Sequence, residues 1–263
     1  MRNKNRLEKM VYSSSGAEKA RSVGSVLEER YGIKKIDRYA DIEASLILAL
    51  GGDGFMLDTL RRRMGNNIPV YGINCGNVGF LLNEFHSDQL LADIESAEEY
   101  NLNILKAELS NENGTISGTA INDFYILRNH GKASKLRISV DDELLIENFV
   151  GDGVIVSTAV GSTAYNAAAG GPILALDSNC ITLTTINAFI PKQCRSIVLL
   201  DSSIIEIDVL YPDRRPVMAA LDAQVFTNIK KARISIDRKN SVIALFRKDN
   251  SLRKKILKAQ FQQ

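Results

Sequence analysis

Apolar positions in the first hundred residues alternate between two textures. Residues 10–12, 68–73 and above all the unbroken run 45–50 are short and apolar throughout, as expected of strands buried on both faces of a parallel sheet. Between them apolar residues recur at helical spacing. Ala20, Val23 and Leu27 follow a start that reads as a capping box from Ser15 to Glu18, and further helices are predicted over 55–64 and 87–97. This rhythm predicts an α/β N-terminal domain, doubly wound around a parallel sheet, over residues 1–98. From about residue 100 the texture becomes β-branched runs separated by turn residues, at 115–121, 135–140, 153–157 and 204–210. They predict a β-rich domain over 99–249. One helix interrupts it, beginning near Gly161 and passing through the small residues 164–169 until Gly170-Gly171-Pro172 stops it. The basic, amphipathic segment 250–263 is expected to pack back on the first domain.

Composition narrows the classes. With 263 residues, 45% hydrophobic and 24% charged, the chain is long enough and apolar enough for two ordinary folded domains. A net charge of +2, with basic residues scattered apart from Arg61-Arg62-Arg63 and the C-terminus, lacks the phosphate-neutralising stripe of a nucleic-acid binder. No apolar stretch approaches the roughly 20 residues that span a bilayer, and no signal-peptide core follows the polar start, so neither membrane nor export is expected and the cytoplasm is. Cys75, Cys180 and Cys194 form no metal-type pairs, and His86 and His130 belong to no paired motif, which leaves no structural zinc site or histidine-centred triad to build.

The sharpest local feature is Gly51-Gly52-Asp53-Gly54, directly between a predicted buried strand and a predicted helix, where open α/β sheets place ligands. Glycines let a phosphate approach the backbone closely, and N–H groups at a helix start present partial positive charge to it. A carboxylate there is awkward beside polyphosphate unless it binds a cation or accepts a proton, so Asp53 is either a general base or a plain helix cap. The turn fits neither the G-x-x-x-x-G-K-[ST] phosphate loop nor G-x-G-x-x-G. A second glycine-rich loop, 74–81, follows the next predicted strand and so lies on the same sheet edge. Its Phe80 suits stacking on a base or filling the core.

Downstream, Gly151-Asp152-Gly153 opens a strand, and Gly161-Ser162-Thr163-Ala164-Tyr165-Asn166 opens the small-residue helix. Hydroxyls and free donors at a helix start suit ribose, phosphate or a base edge, with Tyr165 offering an aromatic face; Ser162 and Thr163 serve equally as N-caps. Asn122-Asp123 places an amide that donates and accepts beside a carboxylate that accepts, a pair able to read an adenine edge and ribose hydroxyls, or to end a strand.

Taken together and in order, these segments resemble the NAD kinase family from about residue 45 to about residue 225. The Gly-Gly-Asp-Gly element alone is shared with diacylglycerol kinases and phosphofructokinases. The resemblance implies an α/β N-terminal and a β-rich C-terminal domain with a site in the crevice between them, and a homodimer or homotetramer. It implies phosphoryl transfer from ATP, or another donor, to the adenosine-ribose 2′-hydroxyl of NAD, with a divalent cation, magnesium, held mainly by the donor and no metal site of the chain's own. On that pattern Asp53 removes the hydroxyl proton, and Gly51, Gly52 and Gly54 shape the phosphate turn. Asn122 and Asp123 hold the adenosine. Phe80, Thr163, Ala164 and Tyr165, with Asn166 closing the motif, match positions around the adenine. Asp152 matches an acid contacting the nicotinamide half across a subunit interface, and Asp222 and Gln224 match a further polar pair near the ligand.

Three positions depart from that pattern. Asp123 replaces the usual glutamate and is one methylene shorter, Ala168 stands where many members have serine, and Val150 stands where a basic residue is common. These bear on substrate affinity rather than on reaction type. The rival readings are a lipid or sugar kinase of the same superfamily, resting on residues 51–54 alone, and a non-catalytic NAD(P) sensor, which has no use for a base aimed at the 2′-hydroxyl.

Overall fold

The run Leu46–Gly51 forms a strand, β3, in which every residue is buried. Leu46, Leu48 and Leu50 face a cluster with Ala20, Val23 and Leu27 of helix α1 (Glu18–Tyr31), while Ile47 and Ala49 fill the opposite face, on the side where α2 (Asp53–Arg61) packs. The computed structural model that shows this describes residues 4–37, 43–76, 79–192 and 194–248. β1 (Met10–Ser14) and β4 (Val70–Asn74) flank β3 in parallel, as burial on both faces predicts. β2 (Lys34–Lys35) extends the outer edge beyond β1, and α3 (Leu90–Glu95) precedes β5 (Glu98–Leu102).

Helix α1 starts without the expected capping box. Its N-cap is Ala17, which makes no side-chain bond, and Ser15, just beyond the end of β1, turns its N–H to Leu50 C=O of β3 at 2.9 Å. Gly16, at φ 82°, makes the turn between the two.

The chain divides into two compact units, the first running to Leu102 and resuming at Lys239, the second Asn103–Arg238. This corrects the expected boundaries at 98 and 249. Val242–Phe246 forms β18, which runs parallel to β4 and antiparallel to β5, giving the first sheet the order β2-β1-β3-β4-β18-β5. Phe246 packs edge-on against Tyr100, ring centroids 5.4 Å apart, and the buried Asn83 amide donates to Gly72 C=O at 3.1 Å and Leu245 C=O at 3.0 Å while accepting from Arg247 N–H. Nothing in the run Val-Ile-Ala-Leu-Phe says which sheet it joins; the open backbone edges of β4 and β5 do. The segment 250–263, expected to pack on this unit, lies outside the described residues.

The second unit is a sandwich of antiparallel sheets. One contains β6 (Leu105–Asn111), β7 (Gly114–Ala120), β9 (Ser134–Val140), β10 (Glu143–Gly151), β14 (Ile205–Val209) and β17 (Lys231–Ile236). The other contains β8 (Asp123–Arg128), β11 (Gly153–Ser157), β12 (Cys180–Ile186), β13 (Ser196–Leu200), β15 (Val217–Leu221) and β16 (Gln224–Thr227). Their inner faces share one core: Leu105, Ile207 and Ile234 meet Phe124, Val154 and Leu183. β14 and β17 alternate buried with half-buried residues, as a one-sided strand must, whereas β11 is buried throughout because residues 158–174 cover its outer face.

Candidate functional site

Where β3 meets α2, a Cβ on Gly51 would lie 2.7 Å from Phe55 Cβ, so only glycine fits, whereas Gly52 and Gly54 front open space. Asp53, the first residue of α2, does not cap its own helix. Its carboxylate crosses to the second glycine loop, Oδ2 accepting from Phe80 N–H at 2.8 Å and Oδ1 from Leu81 N–H at 2.9 Å. Cys75 N–H bonds Gly51 C=O at 2.9 Å, and a Cβ on Gly79 would approach Asp53 Oδ1 to 3.1 Å. The two loops expected on one sheet edge are therefore stitched together, with Phe80 half-buried beside them. Backbone donors orient the carboxylate, and each oxygen keeps a further lone pair for a ligand. Asn77 and Val78 of this loop lie outside the described residues.

In the second unit Asn122 is clamped by its backbone. Its C=O accepts from Thr158 N–H at 2.9 Å and lies near the Ser157 and Thr158 hydroxyls, and Gly161 presses so close that a Cβ there would sit 2.1 Å from that oxygen. Asn122 Oδ1 is buried and has no hydrogen-bond partner among the described residues. An orphaned acceptor in a rigid setting suits a ligand N–H.

Asp123 beside it is 5% exposed, and burial, then the nearby Asp222 carboxylate, push its carboxyl up from 3.8 to about 7. Tyr125, two residues along β8 and so on the same face, meets Tyr165 edge to face with centroids 5.3 Å apart. The Tyr165 phenol is raised by burial first, then by Tyr125, Asp123 and Asp152, which places these four groups in one cluster. Asp152 Oδ2 accepts from Asn187 Nδ2 at 2.8 Å and Oδ1 from Arg128 Nε at 2.7 Å; those bonds, Asn187 foremost, hold its carboxyl below the ordinary range.

Residues 161–169 do not form the single helix expected. A 3-10 turn at Gly161–Thr163 and the short α4 (Tyr165–Ala168) are separated by Ala164, whose φ −94°, ψ −124° is not helical. Thr163 bonds only locally, to Val160 C=O at 3.3 Å, while Ala164, Tyr165 and Ala168 are exposed. The Asn166 amide is fully buried and fully used. Nδ2 donates to Ser162 and Pro172 C=O, and Oδ1 accepts from the hydroxyls of Thr182 at 2.9 Å and Thr184 at 2.7 Å. Gln224 is exposed at the start of β16, and Asp222 sits in the turn before it. Tyr125, Arg128, Asn187 and Thr158 escape the sequence reading. Period-2 alternation from Asp123 points to Tyr125; the others come from distant positions with no local signature.

The raised Asp123 carboxyl links stability to pH. The folded protein binds this proton more tightly than the unfolded chain, so its contribution is full below pH 4 and is lost as pH rises toward 7. Asp123→Asn removes the titration. In thermal melts of ligand-free protein the variant is expected to gain on the wild type between pH 5 and pH 8, by on the order of 2 kcal/mol or roughly 4–8 °C. Parallel profiles would show that Asp123 titrates in the ordinary range.

The first unit anchors an acid across two glycine loops at the carboxyl edge of a parallel sheet, and the second, a β-sandwich, holds an amide clamped by its backbone beside a buried acid. Residues 1–99 match the ATP-NAD kinase N-terminal domain and residues 121–239 the ATP-NAD kinase C-terminal domain. The chain belongs to the NAD kinase family. It is 39% identical over 254 residues to the NAD kinase of Hyphomonas neptunium, covering 96% of this chain and 98% of that one. To the NAD kinase of Zymomonas mobilis it is 36% identical over 264 residues, covering 98% and 99%. Its fold is similar to that of yeast NADH kinase complexed with NADH, with a TM-score of 0.80, 20% identity and coverage of 97% of this chain and 88% of that one. An NAD kinase from Archaeoglobus fulgidus in complex with ATP gives a TM-score of 0.76 at 19% identity, covering 95% and 98%. Among the described residues no helix is long and apolar enough to cross a membrane.

Proposed function

We propose that the protein phosphorylates the adenosine-ribose 2′-hydroxyl of NAD to give NADP, using ATP as donor and Asp53 as the base. The observation that carries the reading is Asn122, whose buried Oδ1 has no hydrogen-bond partner among the described residues and whose backbone is held against Thr158 and Gly161. That acceptor takes an adenine N–H, and Asp123 takes ribose hydroxyls. Tyr165, Thr163 and Ala164 line the base, with Phe80 and Ala168 as further contacts. Asp152, kept ionised by Asn187 and Arg128, faces the nicotinamide half. Asn166, with every amide hydrogen bond made inside the protein, supports this wall from behind.

The triphosphate enters as its magnesium salt, a substrate. Gly51, Gly52 and Gly54 leave room for phosphate at the start of α2, and Asp53 accepts the hydroxyl proton as the 2′-oxygen attacks. Catalysis is then mostly positioning and charge neutralisation.

The free thiols of Cys75, Cys180 and Cys194 fit the reducing cytoplasm. Self-association is part of the same reading: edge strands β10 and β13 carry Leu144, Val198 and Leu200 at 55%, 47% and 64% exposure, and Leu144, Leu145, Ile197 and Leu199 line one groove. Apolar edges left bare invite pairing with a second copy. Leu200→Asp is expected to lower the sedimenting mass to that of the monomer. The deciding assay is NADP formation from NAD, ATP and magnesium ion, read by an NADP-specific dehydrogenase. Folded protein that binds NAD but yields no NADP with ATP or polyphosphate would leave the sensor reading in its place.

A further inference from the structure

Asp222 occupies the first position of the two-residue turn between β15 and β16, at φ +50°, a left-handed conformation that aspartate tolerates better than most residues. Its N–H donates to Asp123 C=O at 3.0 Å. Its carboxylate turns inward: Oδ2 accepts from Ile121 N–H at 2.9 Å, and Oδ1 accepts from Asn122 N–H at 2.9 Å and Asp123 N–H at 3.3 Å. Three successive backbone donors thus converge on one side chain about a hundred residues away. They belong to the stretch that leads into β8 and carries the Asn122–Asp123 pair, so the carboxylate does for this stretch what a sheet neighbour does for a strand.

The same charge acts on the neighbouring acid. After burial, Asp222 is what pushes the Asp123 carboxyl upward. Tyr125 on β8 and Tyr165 on α4 also feel the Asp123 charge, both phenols raised by burial first and then by neighbouring charge, and Asp152, which Asn187 and Arg128 hold ionised, acts on Tyr165. Phenols raised above their usual range stay neutral near pH 7, which leaves Asp222 as the acid whose charge reports directly on Asp123.

We propose that Asp222 is a positioning residue that does not touch the dinucleotide: its carboxylate gathers the Ile121, Asn122 and Asp123 N–H groups and so holds the Asn122–Asp123 pair in place for dinucleotide binding. This deepens the proposed NAD kinase reading and rests on it. Ionised Asp123 accepts bonds from ribose hydroxyls and its protonated form accepts them poorly. KM for NAD therefore falls as pH rises from 6 to 8.

The test compares kcat and KM for NAD across pH 6–8 in the wild type, Asp222→Asn, Asp222→Glu and Asp123→Asn. Asp222→Asn removes the charge and turns an NH2 toward at least one of the three backbone donors, so KM at pH 8 is expected to rise roughly tenfold with kcat within about twofold, and the midpoint of the pH dependence to move down by about one unit. Asp222→Glu retains the charge and returns the midpoint toward the wild-type value, and Asp123→Asn abolishes the dependence. A wild-type KM in Asp222→Asn, or a fall in kcat with KM unchanged, would overturn the proposal. Should the Asp222 variants not fold, amide hydrogen exchange in the wild type decides: slow exchange at the Ile121, Asn122 and Asp123 N–H groups supports the clamp, and exchange as fast as in an open loop sinks it. Failure of the NAD kinase reading has a different signature, absence of NADP from the wild type, and calorimetric NAD binding across the same pH range still reads the coupling.

Discussion

Asp53→Asn is expected to cut turnover by on the order of 10²–10⁴-fold while NAD binds within a few-fold of its wild-type affinity. The side chain keeps its volume but loses the proton acceptor that the proposed mechanism assigns to it. It also presents an NH2 group where an oxygen now receives Phe80 or Leu81 N–H, so one of those bonds is replaced by opposed donors. That loosening is local to the glycine loops and costs about 1–2 kcal/mol of stability. A coupled NADP assay beside calorimetric NAD binding separates the two effects. Wild-type turnover in the variant would strip Asp53 of the base role. Equal losses of turnover and NAD affinity would instead point to a binding role.

Gly161→Ala is expected to cost affinity rather than chemistry. The added methyl would sit 2.1 Å from Asn122 O and 2.4 Å from its carbonyl carbon, and neither is the end of a flexible side chain, so the backbone of the pair must move. Overpacking of this kind costs about 1–3 kcal/mol of stability. Loss of the hydrogen bond at Asn122 through such a displacement is expected to raise KM for NAD by on the order of tenfold. Gly131→Ala is the matched control, since its Cβ meets nothing within 4 Å and the residue has no part in the candidate site. If Gly161→Ala bound NAD normally, the clamp on Asn122 would not govern recognition.

Much of the molecule can be read along the chain because its signals are local. Burial on both faces makes Leu46–Gly51 apolar at every position, and the glycines that follow mark a turn before α2 whether or not the rest of the fold is known. The strand Gly153–Ser157 falls where β-branched residues predict it. Helices are less faithful near irregular backbone. Ser15 looks like a cap but bonds back to β3 instead, and the small-residue run after Gly161 is broken at Ala164, because tertiary contacts at Asn122, Thr182 and Thr184 outweigh propensity over so short a stretch.

The residue types of the candidate site were legible for the same reason: an acid among glycines, or an amide beside an acid, carries its chemistry in the side chains themselves. What those groups bond to was not. The reach of Asp53 to Phe80 and Leu81 spans 27 and 28 residues, that of Asp222 to Asn122 a hundred, and the choice of sheet for Val242–Phe246 rests on β4 and β5 more than a hundred residues earlier. Sequence alone determined the alternation of elements, the two textures of the chain and the chemistry at the loops, since periodicity and side-chain type act within a few residues. Tertiary structure alone decided where each unit ends, which carboxylate waits for a ligand and which is taken up by backbone, because hydrogen-bond partners and burial depend on segments that meet only when the chain has folded.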